Sequence, residues 1–259
     1  MLKKFPTRLL LLLMACLPAP GMAGPAQRVV SLDLCTDWML ARYADPAKIA
    51  GLSPLNRQYP VPWLDSSWPV HDGTLEQILQ LKPDLVITGE YNAFLTRARL
   101  KTLGMRVEIL PLPKTLVDVT AYEQRLLGLL GLPVASASIA PPAAKPAAPR
   151  KRLLLLGANG IGTGQATFEN GVMEHAGWTN YLQDEGYIRL DLERIATDPP
   201  DAILWAAPTS QALANRFADH PVLQRAVPKE RWFTTDYWRW QCPGPWTWDL
   251  IRQLNQWLN

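Results

Sequence analysis

Near the C-terminus, four tryptophans, Arg239 and Cys242 fall within the twelve residues WRWQCPGPWTWD. Indoles at that density suit a packed core, where each ring N–H needs an acceptor, or the wall of a pocket for a large flat ligand. Trp238 and Trp240 precede the Pro243-Gly244-Pro245 turn and read as loop residues facing a ligand. Arg239 stands between them, available to a carboxylate or phosphate. Trp246, Trp248 and Trp257 have the spacing of a helix, PWTWDLIRQLNQWLN, and read as packing. Cys242 has one counterpart outside the first 23 residues, Cys35, and both read as loop positions in different halves of the chain. A disulfide, a thiolate pair on a metal and two unrelated buried thiols are the readings open to them. His71, His175 and His220 are too scattered for a metal cluster. His71 alone could reach a cleft, and His175 in FENGVMEHAGW reads as structural. The run RLLLLGANGIGTG (152–164) is a strand entering glycines that could admit a pyrophosphate. Its spacing is not G-x-G-x-x-G, and neither an acidic residue on the next strand nor a nucleophile motif supports an enzyme.

The elements that position these residues are announced by a repeat. LEQILQLKPDLVI (75–87) and LERIATDPPDAIL (192–204) match in register at Leu75/Leu192, Glu76/Glu193, Ile78/Ile195, Pro83/Pro200 and Asp84/Asp201. Each unit predicts a short helix capped by Thr74 or Asp191, buried through its Leu and Ile, ended by Pro and followed by a core strand. The flanks agree. Strands RVVSL and RLLLLG lie upstream, and helix–strand pairs lie downstream at 97–110 and 220–235. The expected fold is therefore α/β, with two Rossmann-like lobes, each a small parallel sheet, and a ligand cleft between them. Residues 24–132 form the first lobe and 152–259 the second, joined once through 133–151, whose Ala/Pro composition predicts an extended, semi-stiff linker.

A basic head (Lys3, Lys4, Arg8), an apolar run and a small-residue exit at Ala23 make residues 1–23 a signal peptide. The weaker alternative is a lipid anchor on Cys16. Three of the 26 basic residues and none of the 23 acidic ones lie in that segment. The remainder is charge-balanced, which argues against a nucleic-acid partner.

The motifs RVVSLDLCTDWMLARYADPAKIAGLS, GTLEQILQLKPDLVITG, GTGQATFENGVMEHAG and FTTDYWRW resemble the periplasmic substrate-binding proteins of ABC importers for ferric siderophores, haem and cobalamin. The likeness spans roughly residues 28–257 and is nearest to the cobalamin-binding members, of the class III binding-protein type. The resemblance implies capture of a metal chelate, either a corrinoid or a ferric siderophore, with haem as the alternative. It implies delivery to a membrane permease with its ATPase, by a monomer with no catalysis and no cofactor of its own. Glu76 and Glu193 stand where the family docks onto permease arginines; in the residues' own terms each also suits the positive end of its helix. Tyr187 stands at the interval of a ligand-stacking tryptophan and Asp236 matches an acidic pocket residue, whereas Gly89 replaces an aromatic contact. Arg57, Trp68 and Tyr91 complete the expected pocket from the loops of the first lobe. The family's long interlobe helix is shortened and proline-rich here, which leaves open a shorter rod or freer lobes.

Overall fold

The structure, a computed structural model, describes residues 24–145, 148–206 and 213–258; the expected signal peptide and Cys16 lie outside the described residues. In the first lobe, strands β1 (Val29–Ser31), β2 (Ile49–Gly51), β3 (Leu85–Gly89) and β4 (Val107–Leu110) form one parallel sheet in the order β2-β1-β3-β4. Helices α1 (Leu34–Tyr43), α2 (Leu75–Gln80), α3 (Phe94–Thr102) and α4 (Leu116–Leu130) cover it. Side chains alternate across a strand, so an all-apolar strand feeds two cores at once. Val29, Leu85 and Ile87 enter the core beneath α1 and α4, while Val30 and Val86 meet Ile78 and Leu100 on the other face.

The second lobe repeats this logic. It contains β5 (Arg152–Leu156), β6 (Ile161–Thr163), α5 (Phe168–His175), β7 (Thr179–Asn180), β8 (Tyr187–Arg189) and α6 (Leu192–Thr197). These are followed by β9 (Ala202–Trp205), α7 (Pro221–Ala226), β10 (Trp232–Thr234), α8 (Trp238–Gln241) and α9 (Thr247–Gln256). Leu153, Leu155 and Leu204 point to the core of α5 and α9, whereas Leu154, Leu156 and Ile203 point to that of α6 and α7. The expected parallel pairing holds for β10, β9, β5 and β7 but not at the other end of the sheet. The order is β10-β9-β5-β6-β8, and β6 runs antiparallel to both β5 and β8. The cause is the glycine run. Gly160 has φ +70°, and Phe217 fills the space where its Cβ would stand, so β5 turns back as a hairpin. A β5 that enters a hairpin has no following helix N-terminus to cradle a pyrophosphate, which removes the dinucleotide reading.

The repeat has a physical purpose in each lobe. Thr74 Oγ1 caps the Gln77 N–H and Asp191 Oδ1 caps Glu193 and Arg194; Ile78 and Ile195 are buried beneath. The Asp84 carboxylate accepts the N–H groups of Gln27 and Arg28 at 2.8 and 3.0 Å, at the start of β1. Asp201 does the same for Arg152 at the start of β5, at 2.7 Å. The Pro-Asp pair thus buttresses the first strand of its own sheet.

Between the lobes stands a short rod. One face of α4 places Tyr122, Leu126 and Leu130 in the first-lobe core, and Val119, nearer its start, lies in the second-lobe core. The stretch after it, expected as a free semi-stiff linker, is pinned instead. Ser138 donates its N–H (2.9 Å) and hydroxyl (2.6 Å) to Glu123 of α4 and accepts the Trp248 indole N–H at 2.9 Å. His175 Nε2 meets the Pro141 carbonyl at 2.8 Å, and its own carbonyl accepts the Ala144 N–H. Among the described residues, no helix is long and apolar enough to cross a membrane.

Candidate functional site

Parallel strands deliver their connecting loops to one edge, and β9 and β10 end there at Trp205 and Thr234. The chain then runs through Asp236 and Tyr237 into α8. Facing it is the first-lobe segment Pro60–Pro62. Together they enclose a cavity of about 830 Å³ that Trp205, Thr235, Asp236, Trp238 and Arg239 also line. Tyr59 and Tyr237 reach across from the two lobes, with ring centroids 6.0 Å apart.

Arg239 is the cation of this cavity. Its guanidinium carbon lies 5.0 Å over the Trp238 ring, and its Nε is 3.7 Å from Asp236 Oδ2, beyond hydrogen-bond reach. That Nε is buried without a hydrogen-bond partner. A buried donor without a hydrogen bond costs about 1–3 kcal/mol, and the ion pair with Asp236 offsets part of that cost.

The tryptophans separate differently from the sequence reading. Trp238 lines the cavity but is mostly enclosed. At 8 % exposure it belongs to the first-lobe core, its ring 5.0 Å from Trp63 and 6.3 Å from Trp246. Trp63 stacks on Trp246 at 5.0 Å and donates its N–H to the Trp38 carbonyl at 3.0 Å. Trp240 turns to the other lobe, half-buried against its core, and donates to Thr235 Oγ1 at 2.7 Å; it is not among the cavity-lining residues. Trp246 and Trp248 are buried and Trp257 stacks on Phe233, as the helical spacing implied.

Cys35 and Cys242 are bonded, with Cα atoms 5.3 Å apart, which excludes thiolate ligation. Cys35 does not sit on a loop. It occupies the first turn of α1, behind the Asp33 cap, and packs in the first-lobe core with Cys242. Residues 238–246 therefore form a strap that leaves the second lobe, completes the core of the first and is bolted there, beyond the single interlobe link expected.

The strap and the cleft loops rest on a buried polar knot. Asp37 is fully buried and accepts the Ser53 N–H (3.0 Å) and hydroxyl (2.6 Å), tying α1 to the loop that becomes Pro60–Pro62. Burial pushes its carboxyl up to about 8, so it is protonated at neutral pH. Asp33 caps α1 and is also raised, chiefly by burial. His71 Nδ1 accepts the Gly73 N–H at 2.9 Å, and Nε2 lies 2.7 Å from the Ser31 carbonyl. Both ring nitrogens are committed, and burial holds the ring neutral, which removes His71 as a metal ligand.

The other expected contacts are dispersed. Arg57 is exposed on a short 3₁₀ turn and Trp68 is half-buried against the first-lobe core. Tyr91, 62 % exposed, stands just past the end of β3. Tyr187, 68 % exposed on β8, donates to Glu169 at 3.2 Å; burial first, then that carboxylate, push its phenol up to about 12. None of these four lines the 830 Å³ cavity. Glu76 and Glu193 are exposed in the first turns of α2 and α6, with no ion pair among the described residues. Tyr237 lies within the stretch 236–242 expected at the cleft, whereas Pro60–Pro62 and Trp63 lie outside the expected stretches, although the cluster YPVPW in a loop is an available signal.

No protein-family model and no curated protein sequence matches the chain. Solved structures do. A periplasmic haem-binding protein from Pseudomonas aeruginosa aligns at TM-score 0.67 and 22 % identity, over 90 % of this chain and 92 % of that one. The fold is that of the periplasmic solute-binding proteins. The periplasmic vitamin B12 binding protein of Vibrio cholerae aligns at TM-score 0.61 and 20 % identity, over 90 % and 97 % of the two chains. A protein of an Fe3+-hydroxamate transport system from Saccharomonospora viridis aligns at 0.63 and 17 %, over 90 % and 93 %. In this binding-protein fold the cavity lies at the carboxyl edge of the second-lobe strands, where α/β sheets gather ligands.

Proposed function

We propose that the protein is the periplasmic solute-binding component of an ABC importer and that it captures a metal chelate in the interlobe cavity. The observation that carries this reading is the 830 Å³ cavity between the Pro60–Pro62 segment and residues 234–239, with aromatic walls and the Arg239 guanidinium in its lining. Its volume falls within the range of small-molecule sites, and its lining combines apolar area with one directional cation. Corrinoid, ferric siderophore and haem ligands all accord with the neighbouring folds. Tyr91, Tyr187, Trp68 and Arg57 supply outer contacts once the lobes approach a ligand. Glu76 and Glu193, one per lobe and free of ion pairs among the described residues, meet cationic pockets of a two-fold permease. The test is native mass spectrometry with an absorption spectrum of protein purified from the periplasm of its own host. A bound metal chelate is expected. A nucleotide or sugar in its place would overturn the reading.

A further inference from the structure

At the β5–β6–β8 end of the same carboxyl edge lies a second hollow, of about 750 Å³. Its lining carries four donors that the described protein leaves unanswered. Arg189, at the end of β8, and Arg216 are exposed and enter no ion pair or hydrogen bond among the described residues. The Asn159 amide has no partner there either. His220 Nδ1 accepts the Val222 N–H at 3.2 Å, so in the neutral ring the proton sits on Nε2, as a donor. One carboxylate, Asp219, opposes the two guanidiniums, and the rest of the lining is apolar.

The hollow is built rather than incidental. Asn159 (φ +59°) and Gly160 (φ +70°) both hold the left-handed conformation, which is costly for a non-glycine residue and turns Asn159 into the hollow. The Phe217 ring fills the space against Gly160 and stacks on His220 at 5.8 Å, locking segment 213–220 to the hairpin. A site with two guanidiniums, amide and imidazole donors and an apolar remainder is complementary to carboxylates on an apolar framework.

We infer that this hollow is an anion subsite of the cleft and that the transported chelate bears free carboxylates. The inference rests on the chelate-binding reading above and narrows it to one ligand class. Haemin and haemin dimethyl ester share a ring and a metal and differ in their carboxylates, so they serve as probes, with cyanocobalamin as an amide-bearing comparison. Tryptophan quenching is expected to show the wild-type protein binding haemin at least tenfold more tightly than the ester. In the Arg189→Gln/Arg216→Gln double variant that preference disappears, with haemin weakened about ten- to hundredfold and the ester unchanged. Equal binding of the two forms by wild type, a preference that survives the double substitution, or binding of cyanocobalamin alone overturns the subsite and leaves the chelate reading standing. If no probe binds, the molecule carried by host-purified protein decides. A carboxylate-bearing chelate supports the subsite, a chelate without carboxylates overturns it, and a non-chelate overturns both readings.

Discussion

Replacing Cys35 and Cys242 together with alanine removes the bolt on the strap and leaves two small apolar residues in sites where the half-cystines are buried. The bond spans 207 residues of sequence. On the chain-entropy model, opening a loop of that length costs about 5 kcal/mol of folding stability, near the upper end for disulfides. Folded domains hold only about 5–15 kcal/mol in total, so the loss is large. For a chain of this size it corresponds to a fall of roughly 10–20 °C in Tm. The strap carries Trp238, Arg239 and Trp246, so its release also changes tryptophan emission and weakens ligand binding at the 830 Å³ cavity. The assay is thermal and urea unfolding of wild type, wild type under strong reductant and the double variant, followed by intrinsic fluorescence. A double variant that melts within 3 °C of wild type, with unaltered emission, would refute the reasoning: core packing alone would then be holding the strap.

Asp37 holds its proton up to about pH 8, whereas in the unfolded chain it loses it near its ordinary value of 3.8. Between those values the unfolded chain binds fewer protons, so stability falls as pH rises. His71, held neutral by burial, acts in the opposite sense only below its ordinary range, and the comparison with Asp37→Asn separates Asp37 from the other raised carboxyls, Asp33, Glu123 and Glu169. Wild type is expected to lose about 1 kcal/mol between them from this group, and Asp37→Asn to lose none of it, measured by urea midpoints. Equal losses in both proteins would contradict the assignment. Reversing both Glu76 and Glu193 to arginine is expected to abolish uptake in cells while ligand affinity in solution is unchanged; weakened affinity would place them in the pocket or the fold. A Cβ on Gly164 would drive into the Asp184 carbonyl, a backbone atom that cannot step aside, so Gly164→Ala is expected to cost about 1–3 kcal/mol. The matched control is Gly128→Ala in α4, where a Cβ meets nothing within 4 Å and helix propensity predicts a gain of about 0.5–1 kcal/mol.

The parts of the fold that depend on near neighbours were legible in the sequence. The repeat marked its two helix caps, its buried isoleucines and the strands behind them, because capping and side-chain alternation are set within a few residues. The antiparallel hairpin at 157–164 was missed because glycine spacing alone does not say whether a strand turns back or enters a helix. The strap was missed for a different reason. Whether Trp238 faces a ligand or the core of the opposite lobe is decided by Trp63 and Trp246, and the Trp238–Trp63 contact spans far more sequence than any local pattern can carry. A bonded cysteine pair was one of three readings open from sequence, and its place at the head of α1 needed coordinates. Likewise, Ala/Pro content suggested an extended, semi-stiff 133–151, and only the hydrogen bonds of Ser138 and His175 disclose that it is held.

The strap and α4 also bear on inheritance. Although the two halves carry the same repeated unit, each lends the other a piece of its interior: Val119 goes one way, and Trp238, Cys242 and Trp246 the other. Neither core is complete without side chains from the other half. A chimera made by cutting once between them would leave both interiors short of side chains, so an exchange of specificity between relatives has to move the interlaced segments together with the lobe they complete.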